Sequence, residues 1–345
     1  MLAGAGPGDD ALVTAASLRW LARCDTVVYD RLANPALLEA ASGSAERIYV
    51  GKAPGRSGYS QEQINELLVE KCRAGRRVVR LKGGDPLVFG RGGEEADALR
   101  AAGCEFRFVP GVTAGVAGLA YAGIPLTDRR LASTAAFITG HEDPAKDEST
   151  IAWDALAKID TLVFYMGVGN LPQIAERLIA AGRSPATPAA VIYRATTPDQ
   201  RTVTATLAEI AAVAMEADIR PPALIVVGEV VSLRERLNWW ETLPLFAQTV
   251  LVTRSRAQAS RLSAALRELG AGVIESPTIR IEPPADLGPL EAALRRVGEF
   301  DWLVLTSPNG VAAVLDRLDA LGLDGRALGG VKIAAVGAAT AATLA

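Results

Sequence analysis

Histidine is almost missing from this chain: one residue, His141, in 345. That excludes a histidine-rich metal site, and no metal is expected. Cysteine is scarce as well. Cys24, Cys72 and Cys104 lie far apart. No CxxC pair exists, and an odd count argues against a disulfide framework. Lysine is confined to Lys52, Lys71, Lys82, Lys146, Lys158 and Lys332, so the basic residues are overwhelmingly arginine. That bias reads either as a GC-rich genome or as bidentate grips on carboxylates, which lysine makes poorly. No basic surplus exists, with a net charge of -3, so a nucleic-acid partner is not expected. No apolar run reaches the ~18 residues of a membrane span. The N-terminus opens straight into Gly4-Ala5-Gly6-Pro7-Gly8-Asp9, without the charged start and apolar core of a signal peptide. A soluble, cytoplasmic protein with no membrane partner is expected.

What is present is apolar content, at 50% of residues, enough for two or three domains with real cores. Strand-like and helix-like patterns alternate, which argues an α/β protein. Strands are expected at Thr26–Tyr29, Ile48–Val50, Val78–Leu81 and Glu105–Val109, then at Thr134–Thr139, Leu162–Met166, Ala189–Tyr193 and Ala223–Val227. Gln61 to Arg73 has Ile64, Leu67 and Leu68 on one stripe at helical spacing, and Ser60 before it opens a capping box with Gln63. A subdomain hinge is expected near 110–115 and a linker at Thr242-Leu243-Pro244. A new αβ run follows, with strands at Thr249–Arg254, Val273–Glu275, Trp302–Leu305 and Ile333–Val336 and a helix over Ala257–Leu269. Only Met1-Leu2-Ala3 precede the first glycine loop, whereas a strand usually needs about 5 residues. The coding sequence is therefore expected to be clipped at both ends, with a weakened edge where the first strand starts.

The most informative stretch is Val78 to Gly93, VVRLKGGDPLVFGRGG. A β-branched run stops at Gly83-Gly84-Asp85-Pro86, and glycines at a strand exit let backbone approach a ligand closely. Ligands of open α/β sheets sit at the carboxyl ends of strands, so this segment reads as a wall of a small-molecule site. It lacks the GxxxxGK[ST] of a P-loop. The Gly4 loop resembles GxGxxG only loosely, since Pro7 removes a donor and Asp9 adds negative charge; Asp9 also reads as a helix N-cap. Thr113 reads as a cap or a site residue, and Met166 as core or ligand contact. Asp30 and Lys52 stand at strand exits, where site chemistry is usually placed, though either also reads as a solvated charge.

Taken together, these segments resemble the S-adenosylmethionine-dependent uroporphyrinogen-III C-methyltransferases, within the tetrapyrrole methylases. The blocks that carry the resemblance run in family order: GAGPGD at 4–9, TVVYDRL at 26–32, YVGKAPG at 49–55, QEQIN at 61–65, VVRLKGGDPLVFGRGGEE at 78–95, VPGVTAG at 109–115, AYAGIPLTDR at 120–129, FITGH at 137–141, TLVFYMG at 161–167 and PALIVVGEVV at 222–231. The resemblance implies a fold of two αβα subdomains with a cleft between them, within 1–242 (about 1–112 and 113–242), acting as a homodimer. It implies S-adenosylmethionine contacts from Pro7, Gly83, Gly84, Asp85, Val88, Thr113, Ala114 and Met166, and acid/base roles for Asp30 and Lys52. Ala195 stands where the family usually has glycine, adding a methyl near the adenosyl group. Ser57-Gly58 and Asp128 stand where the family often has histidine. The implied substrate, uroporphyrinogen III, carries eight carboxylates, for which Arg31, Arg91, Arg129 and Arg130 are the expected grips, each also readable as a solvated surface charge. The implied product after two transfers is precorrin-2, on the way to siroheme and cobalamin. Residues 246–345 resemble a partial uroporphyrinogen-III synthase, through VLVTRSRAQASRL, DWLVLTSPNGV and IAAVG, with Thr253-Arg254, Thr306-Ser307 and Asn309 matching its substrate-facing segments or serving as plain caps. The alternatives are a methylase for a later corrin intermediate, or for diphthamide precursor or ribosomal RNA; a nucleotide-binding oxidoreductase; and a binding module without catalysis.

Overall fold

The computed structural model describes residues 1–51, 58–140, 150–253, 256–279 and 282–345. Lys52, His141 and Arg254 lie outside the described residues.

Five parallel strands form the first sheet: β1 (Leu2–Gly4), β2 (Thr26–Tyr29), β3 (Glu46–Tyr49), β4 (Val78–Lys82) and β5 (Phe108–Val109), in the spatial order β3-β2-β4-β1-β5. The three-residue β1 is not an edge strand. It is buried throughout and lies between β4 and β5, with Leu2 opposite both Arg80 and Phe108. Short length is tolerated because both neighbours supply ladder hydrogen bonds and both faces are covered. One face packs on Leu21, Leu37 and Leu38. The other carries Leu2, Val28 and Val50 against Ile64, Leu68, Ala96 and Leu99 of the helices Gln61–Arg73 and Gly92–Ala101. The expected capping box is formed: Ser60 Oγ accepts from Gln63 N, and the Gln63 side chain accepts from Ser60 N.

Pro110–Thr113 and the helix Ala114–Tyr121 lead to the second sheet. It comprises β6 (Ala135–Thr139), β7 (Thr161–Tyr165), β8 (Pro188–Tyr193), β9 (Arg201–Thr206) and β10 (Ala223–Val227), ordered β6-β7-β10-β8-β9. Only β6 and β7 are parallel; β10 runs antiparallel to β7 and β8, and β8 to β9. The edge strand β9 was not expected from the sequence. Its Thr-rich run is half-exposed and gives no strong apolar alternation. Leu162, Phe164, Val191 and Ile225 are fully buried on one face of this sheet, and Val163, Ile192 and Val226 on the other, against Leu119 and Ile124.

Beyond Trp240 lie β11 (Thr249–Val252) with β12 (Gly272–Glu275) and β13 (Trp302–Leu305) with β14 (Lys332–Ala335), each pair parallel. The chain divides into two compact units, Met1–Val252 with Ala259–Glu275, and Thr253–Gln258 with Ser276–Ala345. In the second, Val311, Val314 and Leu318 of the helix Pro308–Ala320 pack on Leu305 and Leu294. Ser307 caps that helix, its hydroxyl accepting from Gly310 N.

Candidate active site

At the carboxyl edge of the first sheet three loops meet. Gly84 N donates to Gly6 O at 2.7 Å, and Gly6 N to Gly84 O at 3.3 Å, so the β1 and β4 exits pair with each other. The β5 exit closes on both: a Cβ on Gly111 would stand 2.2 Å from Gly84 O and 2.7 Å from Gly4 Cα. Only glycine permits that approach. Asp85 locks the junction, its carboxylate accepting from Leu87 N at 2.8 Å and Gly111 N at 3.0 Å.

The junction opens on a cavity of about 1020 Å³, at the upper end of the size of small-molecule sites. Pro7, Asp30, Arg31, Gly83, Gly84, Asp85, Val88, Arg91, Thr113, Ala114, Met166 and Ala195 all line it. Arg129 and Arg130 are not among its lining residues; both are exposed, and Arg130 forks onto Asp128. Arg91 pairs bidentately with Glu94. Non-glycine residues with positive φ concentrate here: Phe89, Arg91, Met166, Arg194 and Thr196 line the cavity, and only Asp218 and Ala247 lie elsewhere among the described residues. Such conformations cost about 1–3 kcal/mol each and collect at functional sites.

At two positions the structure adds contacts that the sequence left open. Thr113 makes no cap bond to its helix; its hydroxyl pairs with Tyr165 Oη at 2.8 Å. The methyl of Ala195 is accommodated by Gly118, where a Cβ would stand 2.8 Å away. Asp9 does cap the next turn, accepting from Ala11 N at 2.9 Å. It is also tied across the cavity, with Asp9 N donating to Thr196 Oγ1 at 3.1 Å and Tyr121 Oη donating to Asp9 Oδ2 at 2.7 Å.

Asp30 follows β2 directly. Its Oδ1 accepts from Leu32 N at 3.0 Å and its Oδ2 from Arg80 Nη2 at 3.0 Å. Arg80 belongs to a buried group that the sequence reading missed: Arg80 at 4%, Lys82 at 5% and Glu95 at 0% exposure. Burial pushes the Lys82 ammonium below its usual range, and Arg80 adds to that, with Glu95 opposing. The signal was available, since two cations at alternate positions of a doubly covered strand must find a carboxylate.

With this geometry in place, comparison with known proteins is direct. Residues 1–211 match the family of tetrapyrrole (corrin/porphyrin) methylases, and residues 260–345 match uroporphyrinogen-III synthase HemD. The chain belongs to the tetrapyrrole methylase family. A Bacillus subtilis (strain 168) uroporphyrinogen-III C-methyltransferase is 44% identical over 326 residues, 94% of this chain and 67% of that protein. The siroheme synthase of Pseudomonas fluorescens (strain Pf0-1) is 52% identical over 242 residues, 70% of this chain; the chain spans about half, 52%, of that relative. Among solved structures, uroporphyrin-III C-methyl transferase from Thermus thermophilus, complexed with S-adenyl homocysteine, is 43% identical with a TM-score of 0.58, covering 67% of this chain and 98% of its own. Family membership replaces the oxidoreductase alternative.

The cavity suits the cofactor of such enzymes on its own geometry. A Cβ on Gly84 would meet nothing nearer than 3.7 Å, so bare backbone borders a gap that any side chain would fill. Val88, Met166, Ile192, Ala195 and Leu224 supply apolar lining, and Asp9, Asp30 and Asp85 polar acceptors. No group of three or more histidine, cysteine or acidic side chains among the described residues could hold a metal. No helix among them is long and apolar enough to cross a membrane.

Proposed function

We propose that this chain is an S-adenosylmethionine-dependent uroporphyrinogen-III C-methyltransferase, performing two methyl transfers to give precorrin-2 for siroheme and cobalamin formation. The observation that carries the reading is the glycine junction opening on a cavity with Asp30 held at its rim. When bound, the cofactor supplies an electrophilic sulfonium methyl, so the protein need not generate a reactive group. We assign its binding to Pro7, Gly83, Gly84, Asp85, Val88, Thr113, Ala114, Met166 and Ala195.

The chain's own work is positioning and proton movement. Holding both reactants in line can supply about 7–11 kcal/mol of barrier reduction. Asp30 is the base that removes a proton from the macrocycle, worth about 10²–10⁴ in rate. Lys52 is proposed as the donor on the resemblance alone. Arg31 and Arg91, which line the cavity, are the proposed partners of substrate carboxylates. Arg194 also lines it and joins them in this proposal. Arg129 and Arg130 lie off the cavity lining and drop out of that role.

Residues 1–242 form the methylase domain in this reading, with subdomains 1–112 and 113–242. Residues 246–345 are a partial synthase-like domain. A cytoplasmic homodimer is the proposed state. The test is methyl transfer to uroporphyrinogen III, with Asp30→Ala as control. The variant should lose most turnover, about 10²-fold or more, while calorimetry finds S-adenosylhomocysteine affinity within a few-fold. Full activity in Asp30→Ala removes that residue from the mechanism. No transfer by the native chain defeats the substrate assignment.

A further inference from the structure

The charged side chains behind Asp30 form a system of their own. β4 is covered on both faces, yet Arg80 and Lys82 stand two residues apart and therefore on one face. That face lies under the helices Gln61–Arg73 and Gly92–Ala101, whose Leu68 and Leu99 roof it. Glu95, from the second of these helices, is the counter-charge. Its Oε1 accepts from Lys82 Nζ at 2.6 Å, Arg80 Nε at 3.2 Å and Gln61 Nε2 at 3.4 Å, while Oε2 has no partner. The remaining guanidinium nitrogens are committed too: Nη1 to Leu81 O at 3.1 Å and Nη2 to Asp30 Oδ2 at 3.0 Å.

We propose that Glu95 is a positioning residue, which aims the Asp30 carboxylate at the cavity through Arg80 without touching the reactants. The inference rests on Asp30 being the acid/base group of the proposed reaction. A guanidinium is a rigid planar fork, so fixing Nε fixes the direction of Nη2. Asp30 Oδ1 is pinned by Leu32 N, and Arg80 pins the other oxygen, leaving the carboxylate one orientation. Two cations and two carboxylates balance. Buried ion clusters add little net stability over apolar packing of the same volume. Fixed geometry is what this one provides. Lys82 shares the Glu95 anchor and keeps that oxygen in place.

Glu95→Gln tests this, keeping shape and an acceptor oxygen while removing the charge. In the full, ligand-free chain, the Arg80 Nε–H resonance is followed by 15N-arginine NMR, assigned by its loss in Arg80→Lys. It should shift and exchange with water about tenfold faster in Glu95→Gln, and should also shift in Asp30→Asn, because one guanidinium carries both contacts. A resonance indifferent to Asp30→Asn overturns the proposal. In methyl transfer, Glu95→Gln should lower kcat about tenfold or more with KM within about threefold. Added to Asp30→Asn, it should lower the residual rate by less than about twofold. Equal losses in both backgrounds overturn the proposal, since Glu95 would then act independently of Asp30. If Glu95→Gln does not fold, Glu95→Asp, one methylene short, is read the same way. The NMR arm needs no substrate, so it decides the positioning role even where uroporphyrinogen III is not methylated.

Discussion

Tyr165 and Thr113, from two different sheets' surroundings, share a hydrogen bond of 2.8 Å, and the same phenol oxygen accepts from Gly115 N at 2.7 Å. The end of β7 is thereby tied to the start of the helix Ala114–Tyr121 beside the cavity. Phe89 from the β4 exit packs on the same ring, 5.0 Å between centroids. Tyr165→Phe leaves the buried Gly115 N–H without its acceptor. Urea unfolding should show a loss of about 1–3 kcal/mol, and S-adenosylhomocysteine should bind more weakly by calorimetry. Unchanged affinity with reduced stability would confine the tyrosine to a structural role.

Gly84 has φ of +68° at the open gap. A β-branched residue there is strained by its backbone and fills the space beside it. Gly84→Val should fold with lower stability, by about 1–3 kcal/mol, and should show no heat of binding with S-adenosylmethionine. Retained binding would place the cofactor elsewhere.

Tyr121 donates to Asp9 at 2.7 Å, and burial first, then the Asp9 carboxylate, pushes its phenol above the usual range. The folded chain thus holds this proton more tightly than the unfolded one. Its stabilising contribution is complete below about pH 10, the ordinary tyrosine value, and is lost as pH rises through the elevated one. Tyr121→Phe should cost about 1.5–3 kcal/mol at neutral pH, the worth of a hydrogen bond to a charged group. It should also flatten the decline of stability above pH 10 in denaturant titrations.

Burial, and then the neighbouring Cys104 thiol, push the Cys72 thiol up to about 11 from 9.0. Only the thiolate reacts with maleimide. At pH 8 its alkylation, followed by mass spectrometry, should run about 100-fold slower in the folded chain than in urea. Equal rates would mean that the burial is lost in solution.

The strand and glycine pattern made most of the first sheet legible, because β-branched runs ending in Gly83-Gly84 or Asp30 carry their own punctuation. The three residues Leu2–Gly4 looked too few because length was judged alone; a strand with partners on both sides needs less. The edge strand Arg201–Thr206 was missed because half-exposed threonines alternate weakly. In the site, the cavity residues named from the resemblance could be placed, but the partners behind them could not. Glu95 sits 13 and 15 residues from its two cations, and one sequence gives no sign that a GGEE helix start will lie under β4. Thr113 stayed open between a cap and a site residue, because its partner Tyr165 lies 52 residues on.

The place of β1 at the middle of its sheet bears on how the chain acquires its shape. Leu2 and Ala3 must find Arg80 and Leu81 on one side and Phe108 and Val109 on the other. Pairings across such sequence distances pay their loop entropy before any reward and are slow to form. On the ribosome, Leu2 and Ala3 must wait, apolar and unpaired, until the segment through Val109 has emerged, and a chaperone that shields them over that interval would raise the yield of folded enzyme.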